Sequence, residues 1–252
     1  MNVFFVFKFK QWKKWFMIIV LALFTAIFIW VETKSSFSVF SSRDDPGALL
    51  KNSKSEKQLA LTFNISWGQE KIYDILDVLK KNDVQATFFV SGEWAVRHPD
   101  ILEEINEGNH EIGSLGYEYK SYVKQELSEV RKDLQNARNT FSKLGYNTQW
   151  LRPPSGHFNE EVLKAAENMG YKVVHWSIHP EDWKNPGTEK IVKRVLEETS
   201  GGDIILMHAS DAVKQTDKAL TKILPALKKK GLEFVTISEL VSSGKAESEP
   251  VK

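Results

Sequence analysis

The chain has 252 residues, 42% of them hydrophobic, which is enough for one sizeable domain with a real core. Its formal net charge is +1 with the two signs interspersed, so nothing in the charge pattern points to nucleic acid. Cysteine is absent, which excludes disulfides and thiolate metal sites and suits an exported protein that folds without oxidative help.

In chain order, Lys8, Lys10, Lys13 and Lys14 precede an apolar run from Trp15 to Val31 broken only by Thr25. That length is near the short end of what spans a bilayer, and the lysines place its start on the cytoplasmic side. The residues after the run, Trp30, Val31 and Glu32, make a poor signal-peptide cleavage site. The expectation is therefore a single-pass cell-membrane protein: a cytoplasmic basic segment over 1–14, an anchor over 15–31, and the folded part outside the cytoplasm. Residues 32–56, rich in Ser, Lys and Asp, read as a linker, apart from the short Phe37 to Phe40 run. The polar stretch 243–252 reads as a disordered tail.

Between them, over 57–242, short apolar runs alternate with amphipathic stretches. The runs are Leu59 to Phe63, Ala86 to Val90, Glu111 to Leu115, Trp150 to Pro153, Lys172 to Ile178, Asp203 to His208 and Glu233 to Ile237. The stretches carry apolar residues three and four apart, as in Ile72, Ile75, Leu76 and Leu79, or Leu220, Ile223, Leu224 and Leu227. This alternation predicts an α/β domain, a distorted (β/α) barrel of seven to eight parallel strands, with polar residues at the strands' carboxyl ends converging on one face. Asn64, Arg152, His179, Asp182 and His208 fall at such ends.

Five ordered segments carry a family resemblance: Thr62-Phe63-Asn64-Ile65, His110 to Tyr119, Arg152-Pro153-Pro154-Ser155-Gly156, Trp176 to Trp183, and Ile205-Leu206-Met207-His208. With them the chain resembles the polysaccharide deacetylase domain (NodB homology, carbohydrate esterase family four), most closely its PdaB-type sporulation branch. The resemblance implies a distorted barrel and metal-assisted hydrolysis of an acetamide C–N bond. An aspartate and two histidines would hold the ion, a second aspartate would act as general base and a histidine as general acid.

Carried over position by position, the implied base is Asn64, the metal aspartate is Ile65, and the metal histidines are Leu115 and Tyr119. None of these can do the usual work: an amide takes no proton, and Ile and Leu offer no lone pair. Arg152, Asp182 and His208 match the family's base-orienting arginine and its aspartate–histidine acid pair. An ordinary strand-end ion pair at Arg152 or a structural Asp–His contact would read the same in sequence.

His157 follows the Arg152 to Gly156 turn, and His179 stands where the family has an acidic residue. With His208 and Asp182 they are candidates for a rebuilt zinc site; otherwise no cofactor is expected. His110 and His175 read as packing residues and His98 as a surface one. Of the tryptophans in or beside motifs, Trp67, Trp94, Trp150, Trp176 and Trp183, the first choices for stacking on a sugar ring are Trp67 and Trp183. The implied partners are a cell-wall or spore glycan and, through the anchor, the membrane. Two functions stay open: a tethered glycan-binding pseudoenzyme, and an active N-deacetylase working through the rebuilt site.

Overall fold

In the computed structural model the chain divides into two units, Met1–Val39 and Phe40–Lys252. The structure describes residues 47–242 and 247–250, the last four by backbone only, together with Met17, Val20, Leu23 and Thr25 in the first unit, which are helical and exposed. Among the described residues no helix is long and apolar enough to cross a membrane. The expected span over 15–31, the basic segment before it and the Phe37 to Phe40 run otherwise lie outside them.

The second unit is built on a seven-stranded parallel sheet: β2 (Gln58–Ile65), β3 (Thr87–Val90), β4 (Glu111–Ser114), β5 (Trp150–Leu151), β6 (Lys172–Val173), β7 (Ile204–His208) and β8 (Glu233–Val235). The order is β6-β5-β4-β3-β2-β7, with β8 paired to the start of β2. Strand β2 is the hub, and it is buried along nearly its whole length, as its unbroken run of Leu, Ala, Thr and Phe requires.

The sheet curls, and a bridge from Ile178 to Ile205 of β7 brings the chain beyond β6 round to the other end of the sheet. The expected strand Lys172 to Ile178 is therefore only two residues long. Beyond it the chain changes partner at almost every step. Val174 N–H donates to Leu151 of β5, His175 N–H to Leu49, and Ser177 and Ile178 both to Ile204 of β7. With no constant neighbour, no ladder can propagate.

Helices cover the sheet: α1 (Lys71–Lys81), α2 (Gly92–Arg97), α3 (Pro99–Glu107), α4 (Leu127–Lys143), α5 (Glu160–Asn168), α6 (Thr188–Glu198), α7 (Thr216–Lys229) and α8 (Ile237–Ser242). In α1 the stripe Ile72, Ile75, Leu76 and Leu79 is buried, and α7 buries Leu220, Ile223, Leu224 and Leu227 in the same cluster.

Two expectations at the domain's edges are corrected. The stretch read as linker contains β1 (Gly47–Lys51), whose Ala48 and Leu49 are fully buried, and Asn52 donates from Nδ2 to the Leu240 carbonyl at 2.6 Å. Three apolar residues are too few to show a period in sequence. The stretch read as a disordered tail contains β9 (Glu247–Pro250), which pairs antiparallel with β1 because that strand has an open edge to offer.

His110 packs against Phe88 and accepts the Ala86 N–H at Nδ1, 3.2 Å away. Burial pushes its imidazole, like that of His175, from 6.5 down to about 4. Between those values the unfolded chain binds protons that the folded one excludes, so stability is whole above pH 6.5 and lost as pH falls toward 4. Urea unfolding at neutral pH and near pH 5 should show a loss of about 2 kcal/mol per histidine. His110→Gln, which keeps an acceptor, should flatten that slope; an unchanged slope would contradict the assignment.

Candidate functional site

The carboxyl ends of β2, β4, β5 and β7 and the segment after Ile178 meet at one rim. On β2 and β7, Asn64 and His208 are register partners, so in a parallel ladder they stand side by side on the same face. Arg152 follows β5 directly and its backbone N–H donates to Ser114 of β4.

Arg152 is fully buried. Its Nη1 donates to Asn64 Oδ1 at 3.0 Å, its Nη2 to the His175 carbonyl at 2.9 Å, and its guanidinium carbon lies 4.1 Å from the centre of the Phe89 ring. Burial lowers its pKa to about 9, which leaves it a cation at neutral pH. The ion pair that a strand-end arginine ordinarily makes is missing among the described residues.

Asp182 is also fully buried, and both its oxygens are engaged. Its Oδ1 meets His208 Nδ1 at 2.8 Å, while its Oδ2 accepts the His208 backbone N–H and the Thr216 hydroxyl, each at 2.8 Å. Left-handed backbone at Glu181 (φ 58°) and Asn185 (φ 52°) brackets the single turn Asp182–Lys184. Asn185 anchors that turn to the loop after β7 by donating to the Ala212 carbonyl and accepting the Lys214 N–H. The carboxylate is thus held by the fold before any ligand arrives.

Two further carboxylates brace the rim. Asp211 accepts the backbone N–H groups of Gln69, Glu70 and Lys71, each at 2.9 Å, and so caps the start of α1. The loop reaches it because Gly68 has φ +83°; a Cβ there would stand 2.4 Å from the Asp211 carboxyl carbon. Asp133 does the same for the loop after β4, accepting from Tyr117 N, Glu118 N and the Tyr122 hydroxyl. Sequence reasoning missed Asp133, Asp211 and Thr216. The only signal for Asp211 is a short polar residue in a turn, and Thr216 gives none.

The family's metal positions do not fit a cation. Ile65 and Leu115 are packed in the interior with at most 1% of their surface exposed. Tyr119 is exposed, and its phenol, ordinarily protonated at neutral pH and shifted further upward, offers a cation no oxyanion.

A different group does carry ligand chemistry: His179, Asp182 and His208 bring one donor atom each within 4.8 Å of one another. His179 Nε2 is buried without a partner, and its imidazole is pushed downward by burial and by His208. His157 does not join them; it is exposed and lies 3.3 Å from the Ser155 hydroxyl. Of the tryptophans, Trp67 and Trp183 are exposed while Trp94 and Trp150 are core. Trp176 stacks on His175 at 3.8 Å and meets His179 edge-on.

Comparison with known proteins agrees with this architecture. A polysaccharide deacetylase family model matches residues 51–174. A peptidoglycan-N-acetylglucosamine deacetylase of Bacillus cereus is 38% identical over 191 residues, covering 74% of this chain and 89% of that protein. The chain belongs to the polysaccharide deacetylase family.

Among solved structures, BA3943, a CE4 family pseudoenzyme from Bacillus anthracis, matches with a TM-score of 0.74 at 30% identity, covering 80% of this chain and 71% of that one. A mutant of that pseudoenzyme with restored enzymatic activity matches with the same TM-score over 80% of this chain and 73% of its own.

Asp182→Ala removes three hydrogen bonds to a buried carboxylate and should cost about 3 kcal/mol in urea unfolding, whereas Thr216→Val should cost about 1 kcal/mol. Equal, negligible losses would show that the dyad does not brace the rim.

Proposed function

We propose that this chain is a peptidoglycan-binding member of the polysaccharide deacetylase family that lacks metal-dependent hydrolysis, held outside the cell membrane by residues 15–31. The observation that carries this reading is the identity of four residues at the rim. Asn64 cannot accept the proton of an attacking water, and Ile65, Leu115 and Tyr119 cannot coordinate a dication.

The rim remains chemically suited to sugar. Exposed Trp67 and Trp183 offer faces for the apolar side of a pyranose. The polymer we propose, peptidoglycan of wall or spore, is supported by the relative from Bacillus cereus, and the inactive reading by the likeness to a family pseudoenzyme.

A second reading, active deacetylation through a rebuilt metal site, is favoured by the grouping of His179, Asp182 and His208. Two features weigh against it. Both Asp182 oxygens already accept hydrogen bonds, and the position of the family's base is filled by an amide, Asn64.

Acetate release decides between them. On peptidoglycan or chitin oligomers, with and without added zinc, the wild-type protein should release none above background while still binding the polymer. Trp67→Ala and Trp183→Ala should each weaken binding about tenfold. His208→Ala should leave affinity nearly unchanged. The quadruple variant Asn64→Asp, Ile65→Asp, Leu115→His and Tyr119→His should release acetate measurably. Zinc-dependent release by the wild type, abolished by His179→Ala or His208→Ala, would overturn the reading in favour of the second.

A further inference from the structure

A guanidinium stays charged at any physiological pH, and a core that encloses one ordinarily supplies an anion. Arg152 is enclosed completely, yet no described carboxylate pairs with it. What surrounds it is neutral: the Asn64 amide oxygen, the His175 carbonyl and the face of Phe89, with Nε left without a partner. The Tyr119 phenol, which would raise its pKa as an anion, is protonated at neutral pH and supplies no counter-charge. Amide dipoles and a ring face offset part of a full charge and leave the remainder uncompensated.

The second observation is the direction of the Asn64 amide. Arg152 has only donors to offer, so the amide must turn Oδ1 toward Nη1. Its Nδ2 therefore faces away from the cation. Asn64 is 6% exposed, and no described group accepts from Nδ2. Beside it on β7 stands His208, whose Nδ1 is occupied by Asp182. A carboxylate at this position would cancel the arginine and present lone pairs to the rim. The amide does the reverse, presenting N–H groups backed by a buried positive charge.

We propose that Asn64 and Arg152 form a carboxylate-binding subsite at the rim, where β2 and β5 end. One oxygen of the ligand accepts the Asn64 Nδ2 hydrogens, and its charge offsets that of Arg152 one side chain below. The ligand class is a monovalent carboxylate, either a small free acid or the carboxylate of an acidic amino sugar within a glycan. The same field repels a divalent cation. The inference deepens the proposed function, resting on it for the glycan and on the Asn64–Arg152 geometry for the anion.

The experiment titrates the full chain, treated with chelator and held at constant ionic strength, with sodium acetate and separately with acetamide, following binding by calorimetry or amide chemical shifts. Acetate should saturate and bind at least tenfold more tightly than its neutral isostere. Asn64→Asp places the counter-charge on the protein, and should both lower acetate affinity at least tenfold and raise the thermal midpoint at neutral pH. Asn64→Leu should lower acetate affinity without that rise.

Oligomers containing muramic acid, compared with chitin oligomers of equal length, identify the source. Tighter binding of the acidic oligomer places the carboxylate on the glycan; equal binding with saturable acetate places it on a free acid. Acetate binding no tighter than acetamide, or unaffected by Asn64→Asp, would overturn the proposal. That failure would leave the acetate-release assay, and the function it tests, untouched.

Discussion

The charge of Arg152 is the constraint on which the rest of this site depends. It is fixed by chemistry, enclosed by Phe89 and Trp176, and placed by the short strand β5 where the carboxyl ends of β2 and β7 converge. With an acid beside it, the guanidinium would be paired and its surroundings closer to neutral. With Asn64 beside it, the charge has no acidic partner among the described residues. Ile65 and Leu115, packed in the interior, have nothing to give a metal ion. Two positions where the family has a carboxylate, Asn64 and Ile65, and two where it has an imidazole, Leu115 and Tyr119, thus carry neither on an otherwise ordinary scaffold.

Carboxylates are present throughout this rim wherever they hold backbone. Asp182 fixes the segment after Ile178 to β7, Asp211 caps α1, and Asp133 ties down the loop after β4. Each meets three hydrogen-bonding groups, all main-chain N–H at Asp211, two of three at Asp133 and one of three at Asp182, which gives each a structural role independent of catalysis. At the positions of the family's base and metal aspartate stand Asn64 and Ile65. The residues that hold this architecture together are thus largely distinct from those positions. The His208–Asp182 pair belongs to both sets, so its presence is no measure of activity.

Much of this was legible in the sequence, and what was not has identifiable reasons. The strand–helix alternation locates the seven strands of the curled sheet because parallel strands buried on both faces must be apolar throughout, and the motif positions place Asn64, Arg152 and His208 at strand ends; Asp182 and His179 lie instead beyond the shortened β6, Asp182 in the turn Asp182–Lys184. The β1–β9 pair reads in sequence as linker and tail, since Gly47–Lys51 is too short for periodicity and its partner is remote in the chain. The run Lys172 to Ile178 looked like one strand because apolar residues do not record a change of neighbour. His157, beside a motif in sequence, turned out to stand apart from His179 and His208, because the turn at Ser155 (φ 60°) leaves it exposed beside that residue's hydroxyl. Nothing in the sequence shows that Arg152 lacks an ion pair, since that depends on which side chains the fold brings near it.

The central claim is that this rim holds no divalent cation. It is tested most directly by anomalous diffraction at the zinc edge, on crystals of the protein grown with excess zinc. The expected map has no peak beside Asn64, Ile65, Leu115 and Tyr119, and none between His179 and His208. A fully occupied peak at either place would contradict the account.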